Sequence, residues 1–331
     1  MLNIALVGTG AFAREHAQAL QQLPEVTIRY VVGSDPAHTA SFAATIPHAQ
    51  PSTNLDRVLA DPELVAVDIC NRTAQHAPAT LAALRAGKHV HVDKPAALSV
   101  ADFDAMTAAA ERAGVSLMVG QTVRFQPIIA QLQARSRELG APRLLHVSWY
   151  TGHVWPGGWR SWQLDPAQSG GHPVHNGTHI MDLAVWLLGA EPVEVLTRGF
   201  NTFAARMPQP DSFTSVVRFD NGALATLELC YALRERGDAL RRVVLVGERG
   251  TLKHSTEDDP GLSAPGVKVP PASILGALDR QLAHWIAVVT GAESLLVQPQ
   301  QVRAALRGAL AAQQSLVTGA PVRLEPNGVT A

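Results

Sequence analysis

Three side chains in this sequence have both the type and the setting to move a proton. Lys94 follows the run His89-Val90-His91-Val92-Asp93 and stands immediately before Pro95. At the carboxyl end of a parallel strand a lysine faces the crevice where open α/β sheets hold their ligands. In a partly dry pocket its pKa falls toward neutrality, and His175 and His179 start in that range. With Asp182 the two histidines are spaced i, i+4 and i+7, near one face of any helix that has begun by His175. Two histidines and a carboxylate are also a metal arrangement. No other His or Cys cluster completes a ligand set here, and no metal is expected.

A glycine-rich turn supplies a second kind of chemistry. Gly8-Thr9-Gly10-Ala11-Phe12-Ala13 follows the apolar run Leu2 to Val7 and opens a helical stretch, matching G-x-G-x-x-G/A with Ala13 in the third place. The first glycine permits the tight turn, the second lets a pyrophosphate approach the backbone, and the helix N-terminus faces the phosphates. Gly8, Thr9, Gly10, Ala11 and Phe12 are therefore expected to hold a dinucleotide. At the tip of the second strand, where an acid would bind a ribose 2′-hydroxyl, the chain reads Val32-Gly33-Ser34-Asp35-Pro36. Ser34 and Asp35 are the candidates there. Asp35 is either the ribose ligand or the cap of the helix that Pro36 begins. No acid stands at Gly33 to repel a 2′-phosphate and no Arg follows to attract one, so NAD and NADP both fit.

The elements that position these residues fall into two textures. From Leu2 to about Val119, short apolar runs alternate with Ala-rich helical stretches near 12–22, 37–44, 76–86 and 99–112, the pattern of parallel strands with crossover helices. The strands are expected at Leu2–Val7, Val26–Val32, Val65–Cys70, His89–Val92 and Val115–Val119, with a short one between Ala49 and Ser52. After Gly120, β-type runs at Leu144–Thr151, Val193–Phe200, Phe213–Phe219, Ala223–Tyr231 and Arg242–Val246 follow with few helices between them. They predict hairpins in an open, largely antiparallel mixed sheet. Asn221-Gly222 is the clearest hairpin turn. Helices are expected near 275–290 and 299–317, and Glu257–Pro271 reads as a loop.

The fold class is thus α/β: a doubly wound Rossmann domain over 1–121, then a substrate-binding and oligomerisation domain over 122–331. At 331 residues two domains are the natural division. The 47% hydrophobic and 17% charged fractions exclude a disordered chain. A formal charge of −1, from 27 basic and 28 acidic residues, gives no field to hold nucleic acid or an anionic membrane. No run is apolar enough to span a bilayer, and Cys70 and Cys230 form no disulfide framework or metal spacing, so a cytoplasmic protein is expected. Cys70, at a strand end, reads as a small core residue.

Further segments carry a family resemblance. Asn71-Arg72-Thr73-Ala74-Gln75-His76 follows the fourth strand, and Gly87-Lys88-His89 leads into Asp93-Lys94-Pro95 at the fifth. Arg124-Phe125-Gln126-Pro127, Trp159-Arg160, Ser169-Gly170-Gly171, Gly177-Thr178-His179-Ile180-Met181-Asp182 and Gly247-Glu248-Arg249-Gly250-Thr251 come in the same order. Over essentially its whole length the chain resembles the glucose–fructose oxidoreductase / inositol dehydrogenase / MocA family. It departs from that family's pattern at three places: Asp93 stands for Glu, Asn71-Arg72-Thr73 for Thr-Pro-Asn, and His175 for Asp.

The resemblance implies NAD(P)-dependent hydride transfer at a secondary alcohol or ketone of a sugar, cyclitol or related polyol, by a homodimer or homotetramer paired through the C-terminal sheet. A nonenzymatic dinucleotide-binding regulator and an NAD-dependent glycoside hydrolase are the alternatives within the family. Oxidising an alcohol needs a base within reach of its hydroxyl, and Lys94, His179 and His175 are the expected catalytic set. Asn71, Arg72, His76, Asp93, Lys94, Pro95 and Arg124 join the cofactor site. The substrate is expected to meet Lys94, Arg124, His175, His179 and, from a Gly-rich loop, Trp155, Trp159 and Arg160. Trp149, on a strand, reads as packing.

Overall fold

The computed structural model describes residues 1–141, 143–152, 161–202, 209–233, 239–256, 262–264, 267–269 and 274–325. The chain divides into two compact units: Met1–Thr122 with Ile274–Pro299, and Val123–Ser273 with Gln300–Ala331. Residues 274–299, which the sequence reading assigned to the second domain, group with the first unit.

In the first unit the strands are β1 (Leu2–Val7), β2 (Val26–Val32), β3 (Gln50–Ser52), β4 (Leu64–Ile69), β5 (His89–Asp93) and β6 (Leu117–Gly120). The crossovers carry α1 (Ala11–Gln21), α2 (Pro36–Ala43), α3 (Leu55–Leu59), α4 (His76–Arg85) and α5 (Val100–Ala113). All six strands are parallel in the order β3-β2-β1-β4-β5-β6. The chain therefore changes direction of growth between β1 and β4, and the crevice at their carboxyl ends is where such sheets bind ligands. Ile4 to Val7, Val90 and Val92 are buried because both faces of the sheet are covered. Helix starts follow their caps: the Asp35 and Ser99 side chains accept from His38 and Asp102 backbone N–H groups. The short α3, capped by Asn54, was not expected from the sequence.

The second unit holds β7 (Leu144–Gly152), β8 (Pro192–Phe200), β9 (Ser212–Phe219), β10 (Leu224–Leu233), β11 (Ala239–Gly247), β12 (Gly250–Ser255), β13 (Leu262–Ala264), β14 (Val267–Val269) and β15 (Val322–Arg323). Their order is β14-β13-β12-β11-β7-β10-β9-β8-β15. β7 and β10 pair in parallel and the other pairs are antiparallel, so the sheet is mixed. The β9–β10 hairpin turns at Asn221-Gly222, with Gly222 at φ 81°. β13 and β14 lie inside the stretch read from the sequence as loop.

Helices of this unit are α6 (Pro127–Ser136), α7 (Pro166–Ser169), α8 (His172–His175), α9 (Thr178–Leu188) and α11 (Pro299–Thr318). The alternate residues Val147, Trp149, Leu227, Leu229, Val243 and Leu245 point from the sheet into one core with Ile129, Leu132, Leu183, Val185, Ala304 and Ala311 of the helices. The intervening helix α10 (Ile274–Val289) packs against α1 of the first unit, burying Leu278, Leu282, Trp285 and Ile286.

Candidate active site

The dinucleotide turn is built from close approach. Gly8 leaves β1 at φ 126°, and a Cβ there would lie 2.7 Å from the Cys70 carbonyl oxygen, so only glycine fits. Gly10 precedes α1 in extended conformation with no side-chain cap, and the first turn of α1 contains no acid. A Cβ on Gly10 would meet nothing within 4 Å, so the space before the helix is open. Uncapped N–H groups at the positive end of a helix suit a pyrophosphate. Beside the turn the buried Asn71 Oδ1 has no hydrogen-bond partner among the described residues and so offers an acceptor. These features fit a dinucleotide.

The departure at Gly33 has a packing cause. A Cβ there would strike Thr39 Oγ1 and the Thr9 methyl, which leaves no room for an acid. Ser34 and Asp35 are exposed, and Asp35 takes the capping role: its Oδ1 accepts from His38 N at 2.7 Å. His38, missed in the sequence, brings Nε2 to 3.0 Å from the Thr9 carbonyl oxygen. Thr9 is half-buried, and Ala11 and Phe12 are exposed at the helix start.

Lys94 ends β5 as expected, on a cis Lys94–Pro95 peptide, and Asp93 Oδ1 accepts its backbone N–H at 2.7 Å. Burial pushes the Lys94 ammonium below its usual value, with Asp93 opposing. Arg72 is exposed. His76 is a buried tie: Nδ1 lies 2.8 Å from the Pro95 carbonyl and Nε2 3.1 Å from that of Asn71. A neutral ring donates to only one of them, and burial keeps His76 below the usual histidine value. It joins the loop after β4 to the turn that carries Lys94.

Beneath the turn lies a network that the sequence reading did not find. Asp68 of β4 accepts from His16 Nδ1 at 2.9 Å and from His91 Nδ1 at 2.7 Å, and Gln281 of α10 donates to His91 Nε2 at 3.0 Å. All four side chains are buried. Burial alone would raise the Asp68 pKa, but the two imidazoles outweigh it and hold the carboxyl well below its usual range. Cys70 lies 3.0 Å from His16 Nδ1, and burial followed by the Asp68 charge pushes its thiol well above the ordinary value, in keeping with a packing role. The signal in the sequence was a carboxylate inside the otherwise apolar run Leu64–Ile69, which must be paired.

In the second unit no single helix carries His175, His179 and Asp182. α8 ends at His175 and α9 begins at Thr178, and a Cβ on Gly177 between them would strike the Pro173 carbonyl. His175 is buried and meets Trp162 edge-on at 5.3 Å. His179, in the first turn of α9, stacks on Trp149 at 5.5 Å. Arg241 of β11 lies over the same indole, 4.0 Å from its centroid.

Asp182 faces elsewhere. Its two oxygens accept from Arg124 Nε at 2.8 Å and Nη2 at 2.7 Å, and Arg124 Nη1 donates to Gln301 at 2.6 Å. Arg124, expected to meet cofactor and substrate, is thus corrected to a structural role: its guanidinium is fully buried and committed to those partners and to the face of Trp186. Trp155, Trp159 and Arg160 lie outside the described residues.

A 3-2-1-4-5-6 parallel sheet with an open glycine turn on its first strand defines a dinucleotide-binding protein of the Rossmann type. Residues 2–121 match the family described as "Oxidoreductase family, NAD-binding Rossmann fold", and residues 130–253 match the GFO/IDH/MocA C-terminal domain. The chain belongs to the Gfo/Idh/MocA oxidoreductase family.

Among curated proteins it is similar to the uncharacterized oxidoreductase YrbE of Bacillus subtilis, 26% identical over 67% of this chain and 65% of YrbE. It is also similar to D-apiose dehydrogenase of Paraburkholderia graminis, 27% identical over 76% of this chain and 67% of that protein. The match thus spans about two thirds of each relative's length. Among solved structures, GenD2 from gentamicin A biosynthesis, in complex with NAD, shares the fold at a TM-score of 0.85. It is 23% identical, covering 98% of this chain and 97% of GenD2.

Proposed function

We propose that the chain is an NAD(P)-dependent dehydrogenase or reductase that acts on a secondary alcohol or ketone of a sugar, cyclitol or related polyol. The observation that carries this is the open, uncapped start of α1 behind Gly8 and Gly10, with Lys94 at the carboxyl end of β5 in the same sheet. When bound, the nicotinamide would take hydride from the alcohol carbon or return it.

The chain's own residues would do the rest. Gly8, Thr9, Gly10, Ala11 and Phe12 would receive the dinucleotide, with Asn71 and Ser34 beside them. Lys94, with an amine more easily deprotonated than usual, would exchange the hydroxyl proton. His179 and His175 would share in moving or holding that proton. Asp93 and His76 hold the Lys94 turn by their hydrogen bonds.

The protein would work as a dimer or tetramer through the outer face of its nine-stranded sheet, where Leu144, Leu224 and Val246 are neighbours across strands and each is at least 37% exposed. No helix among the described residues is long and apolar enough to cross a membrane, and the cytoplasm is the proposed location.

The test is absorbance at the reduced-nicotinamide band while sugars and polyols are screened with NAD and with NADP. Reduction with at least one of them is expected. A folded protein that binds neither cofactor would sink the reading.

A further inference from the structure

Two arginines of the second unit are treated in opposite ways. Arg124 has both arms of its fork on Asp182, the usual arrangement for a buried guanidinium. Arg241 points into the core face of the sheet beside Val243 and Leu245, yet no carboxylate among the described residues meets it. Its Nε is buried without a hydrogen-bond partner. The titratable group that bears on it is the Tyr231 hydroxyl, which burial drives above its ordinary value and so keeps neutral. Arg241 is half-buried, and the face of Trp149 beneath its guanidinium offsets part of the cost of desolvating it.

A second donor lines the same small cavity. Gln126 is 5% exposed, and its Nε2 is buried with no partner among the described residues. The cavity is walled by Gln126, Arg241, Trp149, Ser148, Leu183 and His254, and offers about 20 Å³. That is room for one water-sized group. Two residues that line one water-sized space thus each carry a buried donor without a partner among the described residues, and one of them is cationic. Trp149, one wall of this space, also stacks on His179.

We propose that Arg241 and Gln126 form an anion subsite that receives a carboxylate of the substrate, which makes the substrate a sugar acid or a related hydroxy acid. The inference rests on the dehydrogenase reading for the word substrate, but the anion site itself does not. A carboxylate and a phosphate share the chemistry that a guanidinium and an amide N–H recognise. The small cavity favours the planar carboxylate over the bulkier tetrahedral phosphate.

Calorimetry on the full-length protein tests this with D-gluconate and D-glucuronate as carboxylates, glucose 6-phosphate as the phosphate, and D-glucose and myo-inositol as neutral probes. A carboxylate probe is expected to bind at least about 10-fold more tightly than its neutral counterpart. Arg241→Gln is expected to cost it roughly 10- to 100-fold, as loss of a charge-assisted hydrogen bond does. Arg241→Lys, which keeps the charge but loses the fork, falls between, and Gln126→Leu costs less than Arg241→Gln. Dinucleotide affinity within about two-fold of the parent certifies that each variant is folded; if Arg241→Gln is not, Arg241→Lys and Gln126→Leu carry the test.

The proposal is overturned if no carboxylate probe binds, if only the phosphate does, if neutral probes bind as tightly, or if the folded variants leave carboxylate affinity unchanged. A carboxylate that binds through Arg241 but reduces neither NAD nor NADP counts against the dehydrogenase reading alone. Turnover of neutral polyols that Arg241→Gln leaves untouched counts against the subsite alone.

Discussion

Lys94 gathers the features that a proton-exchanging amine needs: a strand end for position, a hydrogen-bonded neighbour for orientation, and burial for a lowered pKa. Lys94→Ala should cost on the order of 10²–10⁴-fold in kcat, while dinucleotide affinity changes by no more than a few fold. Steady-state kinetics beside a dinucleotide titration would check both halves, and a near-parental kcat would remove Lys94 from the mechanism. Oxidation should rise with pH as the amine loses its proton, with an inflection below that of a free lysine. His172 makes a different prediction, on stability. Burial holds its pKa at about 4 in the folded chain, against 6.5 unfolded. Between those values the unfolded chain binds a proton that the folded one does not. Stability from this group is therefore complete above about 6.5 and is lost as pH falls toward 4. Urea unfolding at pH 7 and 5 should show a loss of about 2 kcal/mol from His172. His172→Asn, which keeps a donor for the Pro210 carbonyl, should lack that loss.

At the scale of elements, the turn from β1 into α1 is where sequence and structure agree most closely. Gly8 is demanded by the Cys70 carbonyl, but Gly10 is demanded by nothing inside the protein. A valine at Gly10 is compatible with the extended backbone there and would fill the approach to the helix N-terminus. Gly10→Val should thus leave the unfolding midpoint within a few degrees and abolish NAD(P) binding by calorimetry. Undiminished affinity would put the nucleotide elsewhere. Such local signals were legible because glycine geometry and strand periodicity are written in neighbouring residues. The positions of the first unit's strands, the Asn221-Gly222 hairpin and the place of Lys94 all followed from them. What could not be read was long-range: Arg124 looked like a ligand residue until Asp182, 58 positions on, was seen to occupy it. The spacing of His175, His179 and Asp182 did not show whether one helix carries all three, because the Pro173 carbonyl that forces a glycine at 177 is visible only in three dimensions. Arg241 gave no signal, since it lies before the expected strand Arg242–Val246 and the observed strand begins at Ala239.

For the whole molecule, the first unit is not a contiguous segment. Its sheet is complete by Gly120, yet α10 comes from residues 274–289 and covers α1, with Gln281 on His91 and Trp285 fully buried 5.5 Å from the same ring. Removing α10 would uncover Ala277, Leu278, Leu282, Trp285 and Ile286 as partners, and would leave the Asp68 network open on one side. Burial of a single large apolar side chain stabilises by about 1.5–3 kcal/mol, so losing four such contacts removes roughly as much as the 5–15 kcal/mol that holds a typical domain together. A fragment of residues 1–122 is therefore expected to lack a cooperative urea transition. The same fragment joined by a short flexible linker to residues 274–299 is expected to recover one, and with it dinucleotide binding. Circular dichroism across a urea series, followed by NAD(P) titration of both fragments, makes the comparison. A cooperative transition in the 1–122 fragment alone, at the same midpoint as the joined one, would mean that α10 is dispensable and that the Rossmann sheet needs nothing from beyond Thr122.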